Sequence, residues 1–251
     1  TVVWCGGDRV ADRLSAHGLD GRRGKGRDVW LGIGAALAEN PEYVLLHDAD
    51  TTTFAPRDVR RLCHPLGEGF SFSKAYYARV EDETLYGRLC RLLYEPLVAA
   101  LAERTSTQFV DYLGAFRYAL AGECGLTAEV ARSIRVEPDW GLEVGILAEA
   151  FRATGPDAAA QVDLGRYAHD HRAVGGPAGL STMSEGVAAA LFRGLSENGI
   201  DVEHGALRDD YRRVADRFLR GYEADAAFND LTYDREAERD QVAIYAGAIR
   251  P

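Results

Sequence analysis

Apolar and polar positions along the first half of the chain alternate between strand-like and helix-like periods. The segment YVLLHD, residues 43–48, is a short apolar run that predicts a buried strand, and FSFSKAYYARV, residues 70–80, alternates as a strand does. Residues 8–17, 28–40 and 56–66 instead favour helices. Asn40-Pro41 is a stop signal after the second of these, and Pro56 lies in the first turn of the third.

The pattern continues with the same two periods. VVWC, residues 2–5, predicts a short strand, and residues 83–103 predict a long amphipathic helix that Pro96 should kink. A strand or turn is expected over 109–120, helices near 126–133 and 139–153, and a strand over 158–164. From residue 180 onward the pattern is helical, with breaks near Gly199 and Gly205.

Alternating strands and helices predict an α/β fold in which a sheet is covered by helices. We expect this sheet domain to span residues 1–180, with a helical extension over 181–251. The extension carries an apolar stripe that needs a surface to pack on. Either the sheet domain or a second copy of the chain could provide it. The stripe consists of Leu207, Tyr211, Val214, Phe218 and Tyr222.

Composition narrows the class of protein. With 251 residues, 47% of them hydrophobic, the chain can bury a substantial core, and a net charge of −10 argues against wholesale nucleic-acid binding. No run of apolar residues is long enough for a membrane span, and no signal-peptide pattern is visible, so we expect a cytoplasmic protein. The four cysteines form no CxxC pair and are expected to be reduced thiols. Both lysines of the chain, Lys25 and Lys74, fall in segments discussed below.

The predicted strand 43–48 runs into an Asp48-Ala49-Asp50 motif. In α/β sheets, ligands bind beyond the carboxyl ends of strands, and residues i and i+2 of an extended segment point the same way. Both carboxylates could therefore face one Mg²⁺ or Mn²⁺ ion that also binds a diphosphate. A lone Asp-x-Asp motif is weak, however, and a solvated strand end that begins a turn explains it equally well.

Six further segments, taken together, are more specific. They are RRGKGRDVW, LLHDADTTTFAPRDV, FSKAYYARV, DYLGAFRYA, EPDWGLEVGIL and QVDLGRYAHDHR. In this order they resemble the glucosyl-3-phosphoglycerate and mannosyl-3-phosphoglycerate synthases, and they are also similar to the mannosylglycerate synthases. The resemblance covers residues 1 to about 185. It implies a GT-A fold, which is Rossmann-like and binds nucleotide sugars. It also implies a retaining, metal-dependent glycosyltransferase that acts as a homodimer.

The resemblance also implies roles for individual residues. Asp50 and His169 would bind the metal with Asp48 nearby, and Glu143 would lie beside the acceptor hydroxyl and the sugar. The donor contacts would come from Lys25, Asp48, Ala49, Leu113, Gly114 and Arg172. The glycines that flank Lys25 would let the backbone approach the ligand closely.

The implied acceptor site is less complete. The family holds its anionic acceptor with a Gly-Arg-x-Thr segment, and this chain has Gly87 and Arg88 but Cys90 in place of the threonine. A thiol is a poor hydrogen-bond donor, so unphosphorylated D-glycerate is an alternative acceptor. Further acceptor candidates are Arg79, Lys74 and Trp140.

Two other classes of function stay open at this point. The usual first strand of the family is not recognisable in the sequence, which would suit a non-catalytic protein that binds a nucleotide sugar. A nucleotidyltransferase would also use paired carboxylates and metal ions. The sequence does not distinguish UDP-glucose from GDP-mannose as the donor.

Overall fold

The structure is a computed structural model, and it describes residues 2–19, 24–168 and 176–251. The helices are α1 (Asp8–Ala16), α2 (Lys25–Leu37), α3 (Pro56–Gly67), α4 (Glu95–Arg104), α5 (Gln108–Gly114), α6 (Ala128–Ser133), α7 (Leu142–Thr154), α8 (Gly176–Glu197), α9 (His204–Phe228) and α10 (Arg235–Ala246). The strands are β1 (Tyr43–Leu46), β2 (Phe72–Ala78), β3 (Val80–Glu81), β4 (Thr84–Leu85), β5 (Cys124–Thr127) and β6 (Ala159–Arg166). A π-helix spans Leu89–Tyr94, and a short 3-10 helix spans Pro156–Ala158.

The main sheet has the order β1-β5-β2-β6. Strand β2 is parallel to β6, and β5 is antiparallel to both of its neighbours, β1 and β2. The carboxyl ends of β1, β2 and β6 therefore meet at one edge of the sheet, and β5 begins at that same edge. The register aligns Leu46, Cys124 and Lys74 across three strands. Residues that follow β1 and residues that precede β5 are consequently neighbours.

The two faces of the sheet are covered differently. Helix α3 packs across the strands on one face, where Leu62 contacts a small cluster that includes Ala75 and Tyr77. The larger core lies on the other face and continues into the C-terminal helices, since Phe72 and Leu126 belong to the same cluster as residues of α9 and α10. No helix in the described part of the chain is long and apolar enough to cross a membrane.

The π-helix lies directly before Pro96, which is the second residue of α4. A proline inside a helix has no N–H to donate, and its ring clashes with the carbonyl four residues earlier. That carbonyl belongs to Leu92, and the hydroxyl of Tyr211 in α9 donates to it at 2.6 Å. The wider π-helical turn and the hydrogen bond from Tyr211 together accommodate Pro96 within a buried helix.

The C-terminal helices pack against this interrupted helix. Leu207, Tyr211 and Val214 are fully buried within the chain, so the apolar stripe of α9 packs on the chain's own core. In α10, Glu238 forms a bidentate ion pair with Arg91 of the π-helix at 2.7 and 3.0 Å, and both residues are only 4% exposed.

Several sequence predictions are confirmed. Strands β1, β2 and β6 and helices α1, α2, α3 and α7 lie where the periodicity indicates them. The break between α8 and α9 includes Gly199, which has a φ of 72°. Gly205, in contrast, lies in the first turn of α9 and hydrogen-bonds Glu203.

Other predictions are wrong. Residues 2–4 have no regular secondary structure, and Val2 and Trp4 are 89% and 76% exposed, because no neighbouring strand pairs with them. The predicted helix over 83–103 begins instead with the β3–β4 hairpin, where Asp82 and Glu83 adopt positive φ. The segment 109–120 forms α5 and a turn, and the strand comes only at 124–127.

Candidate functional site

Three charged side chains from three different elements meet at the carboxyl edge of the sheet. The ammonium of Lys25, the first residue of α2, lies 2.7 Å from Asp48 Oδ1 and 3.0 Å from Glu143 Oε1. Asp48 follows β1, and Glu143 lies in the first turn of α7. Burial alone would lower the pKa of Lys25, but Glu143 and Asp48 outweigh it and raise the pKa above its ordinary value. Lys25 is therefore charged throughout the physiological range.

Close backbone packing brings Lys25 towards α7. A Cβ atom on Gly26 would lie 1.6 Å from the carbonyl oxygen of Glu137, and the N–H of Arg27 donates to the Pro138 carbonyl at 3.1 Å. Only glycine permits this approach. Gly26 thus packs against Glu137 and Pro138, which precede α7. This packing places the neighbouring Lys25 opposite Glu143.

The Asp48-Ala49-Asp50 motif is not an extended segment, which is what the prediction of two carboxylates facing one ion assumed. Ala49 and Asp50 occupy a turn after β1 and are both exposed, whereas Asp48 is half-buried and faces Lys25. The strand ends at Leu46, so the alternation of an extended segment does not continue through the motif. Within the described ranges, Asp50 has no ion-pair partner.

Sequence reasoning missed a second segment of the site, Ala121-Gly122-Glu123, which immediately precedes β5. A Cβ atom on Gly122 would lie 2.3 Å from Asp48 Oδ2, so the Asp48 carboxylate rests on the glycine backbone. Glu123 is fully buried and accepts hydrogen bonds from the Asp48 N–H at 3.3 Å and from the Tyr77 hydroxyl at 2.8 Å. Burial, with a smaller contribution from the nearby Asp48, raises the pKa of Glu123. The only signal in the sequence was a single charged residue, Glu123, within an otherwise apolar and glycine-containing run over 119–126.

Lys74 belongs to this same site. Its side chain is 1% exposed, and Nζ donates to the carbonyl of Ala121 at 2.6 Å. A cavity of about 60 Å³ lies between the two lysines and the acidic residues. Its polar walls come from Lys25, His47, Asp48, Lys74, Gly122 and Glu143. The structure thus places Lys74 with the predicted donor contacts.

Leu113 and Gly114, predicted as donor contacts, do not line this cavity. Leu113 is fully buried in α5, where its carbonyl accepts a hydrogen bond from Tyr94, and Gly114 faces Val98 of α4. Their assignment rested on the family resemblance of the segment DYLGAFRYA. The backbone next to Asp48 is that of Ala121 and Gly122, eight residues further along the chain.

Three of the predicted acceptor residues, Gly87, Arg88 and Arg79, do not line this cavity. Gly87 has a φ of 79°, and a Cβ atom there would lie 2.6 Å from the Tyr118 hydroxyl. Arg79 is half-buried; burial would lower its pKa, but interactions that include a hydrogen bond with Tyr118 raise it. Arg88 is 48% exposed, and its Nε lies 3.7 Å from Glu238. Gly87 and Arg79 thus share Tyr118 as a neighbour.

The two remaining positions of the acceptor prediction are Cys90 and Trp140. Cys90 is 1% exposed, and its thiol lies 3.7 Å from Glu95 Oε1, so it points into the helix packing. Trp140 is half-buried just before α7, and its Cβ atom packs against Gly186 of α8.

His169 and Arg172 lie outside the described residues. In the described part of the chain, no group of three or more His, Cys, Asp or Glu side chains is arranged to hold a metal ion. Ala168 is the last described residue before them. Its carbonyl accepts a hydrogen bond from the Thr52 N–H at 2.9 Å, and its N–H donates to Thr53 Oγ1 at 3.1 Å.

Solved structures share this arrangement of sheet and helices. Glucosyl-3-phosphoglycerate synthase from Mycobacterium tuberculosis, in complex with Mn²⁺, uridine-diphosphate-glucose and phosphoglyceric acid, superposes with a TM-score of 0.58 and 31% identity over 78% of this chain and 67% of that one. Mannosyl-3-phosphoglycerate synthase from Rubrobacter xylanophilus gives a TM-score of 0.61 and 31% identity over 75% of this chain and 56% of that one. The fold is therefore that of the GT-A glycosyltransferases.

Curated relatives agree with the structural neighbours. Glucosyl-3-phosphoglycerate synthases from Methanococcoides burtonii and Persephonella marina are each 36% identical over 99% of this chain. The chain belongs to the glucosyl-3-phosphoglycerate synthase family. It spans about 65% of the length of these two relatives. No family model matches the chain.

Proposed function

We propose that this protein transfers a hexosyl group from a nucleotide sugar to 3-phosphoglycerate, with retention at the anomeric carbon. UDP-glucose has the strongest support, because the relatives at 36% identity are named glucosyl-3-phosphoglycerate synthases and the Mycobacterium tuberculosis structure holds uridine-diphosphate-glucose. GDP-mannose is the alternative, since a mannosyl-3-phosphoglycerate synthase is a structural neighbour. The observation that carries the proposal is the convergence of Lys25, Asp48 and Glu143 at the carboxyl edge of the sheet.

The geometry supports a division of roles among these three residues. Lys25, a charged ammonium held between two carboxylates, can turn to the diphosphate or to a sugar hydroxyl when the donor enters. Asp48 and Glu143 accept hydrogen bonds and can therefore orient hydroxyl groups of the sugar and of the acceptor. The acceptor hydroxyl attacks from the face that the diphosphate leaves, and the departing phosphate oxygen takes its proton. Catalysis is then mainly positioning and electrostatic stabilisation.

A divalent cation fits the donor set at this edge. Asp50 offers exposed carboxylate oxygens without a competing ion pair among the described residues, whereas Asp48 is already paired with Lys25. Thr52 and Thr53 hydrogen-bond Ala168, so the chain that leads to His169 passes close to Asp50. We assign Asp50 and His169 as the metal ligands. Bound there, Mn²⁺ or Mg²⁺ would neutralise the diphosphate and improve it as a leaving group.

The acceptor site we assign to Arg88, Gly87 and Arg79. Arg88 is half-exposed and can bind a carboxylate or a phosphate bidentately. Gly87 and Arg79 both adjoin Tyr118, so a single small anion could contact this group. Burial of Cys90 favours one alternative acceptor, D-glycerate, because the position that carries threonine in the family offers no exposed donor here.

The experiment is a matrix of donors and acceptors. UDP-glucose and GDP-mannose are each combined with 3-phosphoglycerate and with D-glycerate, with and without Mn²⁺, and release of nucleoside diphosphate is measured. We expect nucleoside diphosphate to be released only when Mn²⁺, 3-phosphoglycerate and one of the two nucleotide sugars are present together. Release only with D-glycerate would support the alternative acceptor. Pyrophosphate release would identify a nucleotidyltransferase, and nucleotide binding without any release would support a non-catalytic protein.

Two broader properties are also proposals. An activated sugar and a phosphorylated acid are intracellular metabolites, which supports a cytoplasmic location that cell fractionation can check. The family resemblance supports a homodimer. Because the apolar stripe of α9 is buried within the chain, this dimer would use another surface. Light scattering that gives a monomer mass at micromolar concentration would exclude it.

A further inference from the structure

The segment Ala121–Glu123 is held in place from both faces of the sheet. Alternation along β2 puts Ser73, Ala75 and Tyr77 on the face covered by α3, where Ser73 Oγ donates to the Leu62 carbonyl at 2.7 Å. Lys74 therefore points to the opposite face, and its ammonium donates to the Ala121 carbonyl at 2.6 Å. From the α3 face, Tyr77 donates to the carboxyl group of Glu123.

The position of this segment determines the position of Asp48. The Gly122 backbone lies directly against the Asp48 carboxylate, close enough that a Cβ atom would be 2.3 to 2.5 Å from all three carboxyl atoms. The Asp48 N–H donates to Glu123 at the same time. A shift of this backbone by a fraction of an ångström would thus move Asp48 relative to Lys25.

Lys74 is an unusual residue at such a place. A lysine that is 1% exposed loses its hydration, which costs free energy unless its ammonium is paired or hydrogen-bonded. Among the described residues, the only hydrogen-bond acceptor that Nζ has is the Ala121 carbonyl. Lys25, by comparison, is 37% exposed at its side chain and is paired with two carboxylates.

We propose that Lys74 is a positioning residue of the donor site. Its ammonium fixes the Ala121 carbonyl and so sets the Gly122 backbone against Asp48. This inference rests on the proposed function, because it concerns how the donor sugar is held. It removes Lys74 from the acceptor site and predicts that its loss weakens donor binding and leaves acceptor binding intact.

The test compares three variants with the wild type. Lys74→Met keeps the length of the side chain but removes the charge and the donor. Gly122→Ala places a Cβ atom against the Asp48 carboxylate and so separates Asp48 from the Gly122 backbone while Lys74 is kept. Ser73→Ala is the matched control, since it removes a buried hydrogen bond to a backbone carbonyl from the adjacent residue of the same strand, on the opposite face. Donor affinity is measured by calorimetry with Mn²⁺ and without acceptor, and KM is measured for each substrate.

We expect Lys74→Met and Gly122→Ala each to weaken donor affinity about tenfold or more, while the KM for the acceptor stays within about twofold of wild type. Ser73→Ala should change neither constant, even where thermal unfolding shows a comparable loss of stability. The proposal is overturned if Lys74→Met binds donor as the wild type does, or if the donor and acceptor constants rise together. If Lys74→Met does not fold, Gly122→Ala decides by the same criteria. A wild-type protein that binds no nucleotide sugar would instead refute the proposed function.

Discussion

The Nζ atom of Lys25 lies 2.7 Å from Oδ1 of Asp48, at the point where helix α2 meets the end of strand β1. The same ammonium is 3.0 Å from Glu143, so one cation separates two carboxylates that would otherwise repel each other. Because these ion pairs exist before the donor enters, they can be exchanged for contacts with the diphosphate and the sugar.

Replacing Lys25 by methionine should reduce turnover by about a hundredfold or more, because a charge aimed at the reacting groups is lost. The measurement is kcat/KM for nucleoside diphosphate release. Lys25→Arg is the companion variant and should retain part of the activity.

The interactions with Glu143 and Asp48 raise the pKa of Lys25, so the stabilisation they give is complete at neutral pH and is lost only as the pH rises through that raised value. Activity should therefore show no Lys25 titration between about pH 7 and 9.

Asp50→Ala should abolish metal-dependent turnover, because an exposed carboxylate without a competing cation is the metal ligand we assign. Activity measured against Mn²⁺ concentration gives the result directly. Asp157→Ala is a control, since Asp157 is another exposed aspartate, in the 3-10 helix after α7. Metal-dependent rates in Asp50→Ala equal to those of the control would remove Asp50 from the metal site.

Glu238→Gln should destabilise the protein by about 3 kcal/mol, because it leaves the buried guanidinium of Arg91 without its carboxylate. Chemical denaturation provides the free energy of unfolding. Asp209→Asn provides the contrast, since Asp209 pairs with Arg212 at a fully solvated site where both side chains are more than half exposed. That change should cost less than about 0.5 kcal/mol. Equal effects of the two substitutions would show that burial does not determine the strength of the Arg91–Glu238 pair.

Glu149 should make the protein sensitive to acid. Burial alone would raise the pKa of Glu149, but hydrogen bonds from Arg152 and Arg135 outweigh it and lower the pKa to about 2. A carboxyl group with a depressed pKa contributes stability above its unfolded value, about 4.3, and loses it as the pH falls towards the folded value. The difference in unfolding free energy between wild type and Glu149→Gln should therefore shrink as the pH is lowered from about 4.5 to 2.

The control for the acid dependence is Glu39→Gln. Glu39 is exposed beyond the end of α2, and the described residues give it no ion-pair partner. We expect its stability difference from wild type to stay nearly constant over the same pH range. If the stability difference between Glu149→Gln and wild type is equally independent of pH, the two arginines do not stabilise the charged form of Glu149.

Elements with local signals could be predicted from the sequence. The buried run of β1 and the start of α3 at Pro56 are encoded by neighbouring residues, and the structure places both where expected. The hairpin at 80–85 was missed, because it depends on positive φ at Asp82 and Glu83. The kink predicted at Pro96 takes the form of a π-helix, whose Leu92 carbonyl accepts a hydrogen bond from Tyr211, more than a hundred residues away.

The site could be predicted only in part for the same reason. Lys25, Asp48 and Glu143 were found through the resemblance, and the structure brings them together. Ala121–Glu123 was not found, because its place beside Asp48 follows from β5 running antiparallel between β1 and β2, and no local pattern encodes that order. Leu113 and Gly114, which the resemblance implied as donor contacts, lie in α5 and do not line the cavity.

Glu238, in α10, forms ion pairs with two arginines that follow Gly87 in the sequence. Its Oε1 lies 2.7 Å from Nη2 of Arg91 and 3.7 Å from Nε of Arg88. The Thr232 N–H reinforces this connection by donating to the Glu83 carbonyl at 2.6 Å. Suppose that an anion binds Arg88 more tightly when α10 is packed against the chain than when α10 is detached. By thermodynamic linkage, binding of that anion then stabilises the packed α10 by the same difference in free energy. Protease resistance of the C-terminal helices would then report occupancy of the acceptor site, even in a variant that cannot turn over.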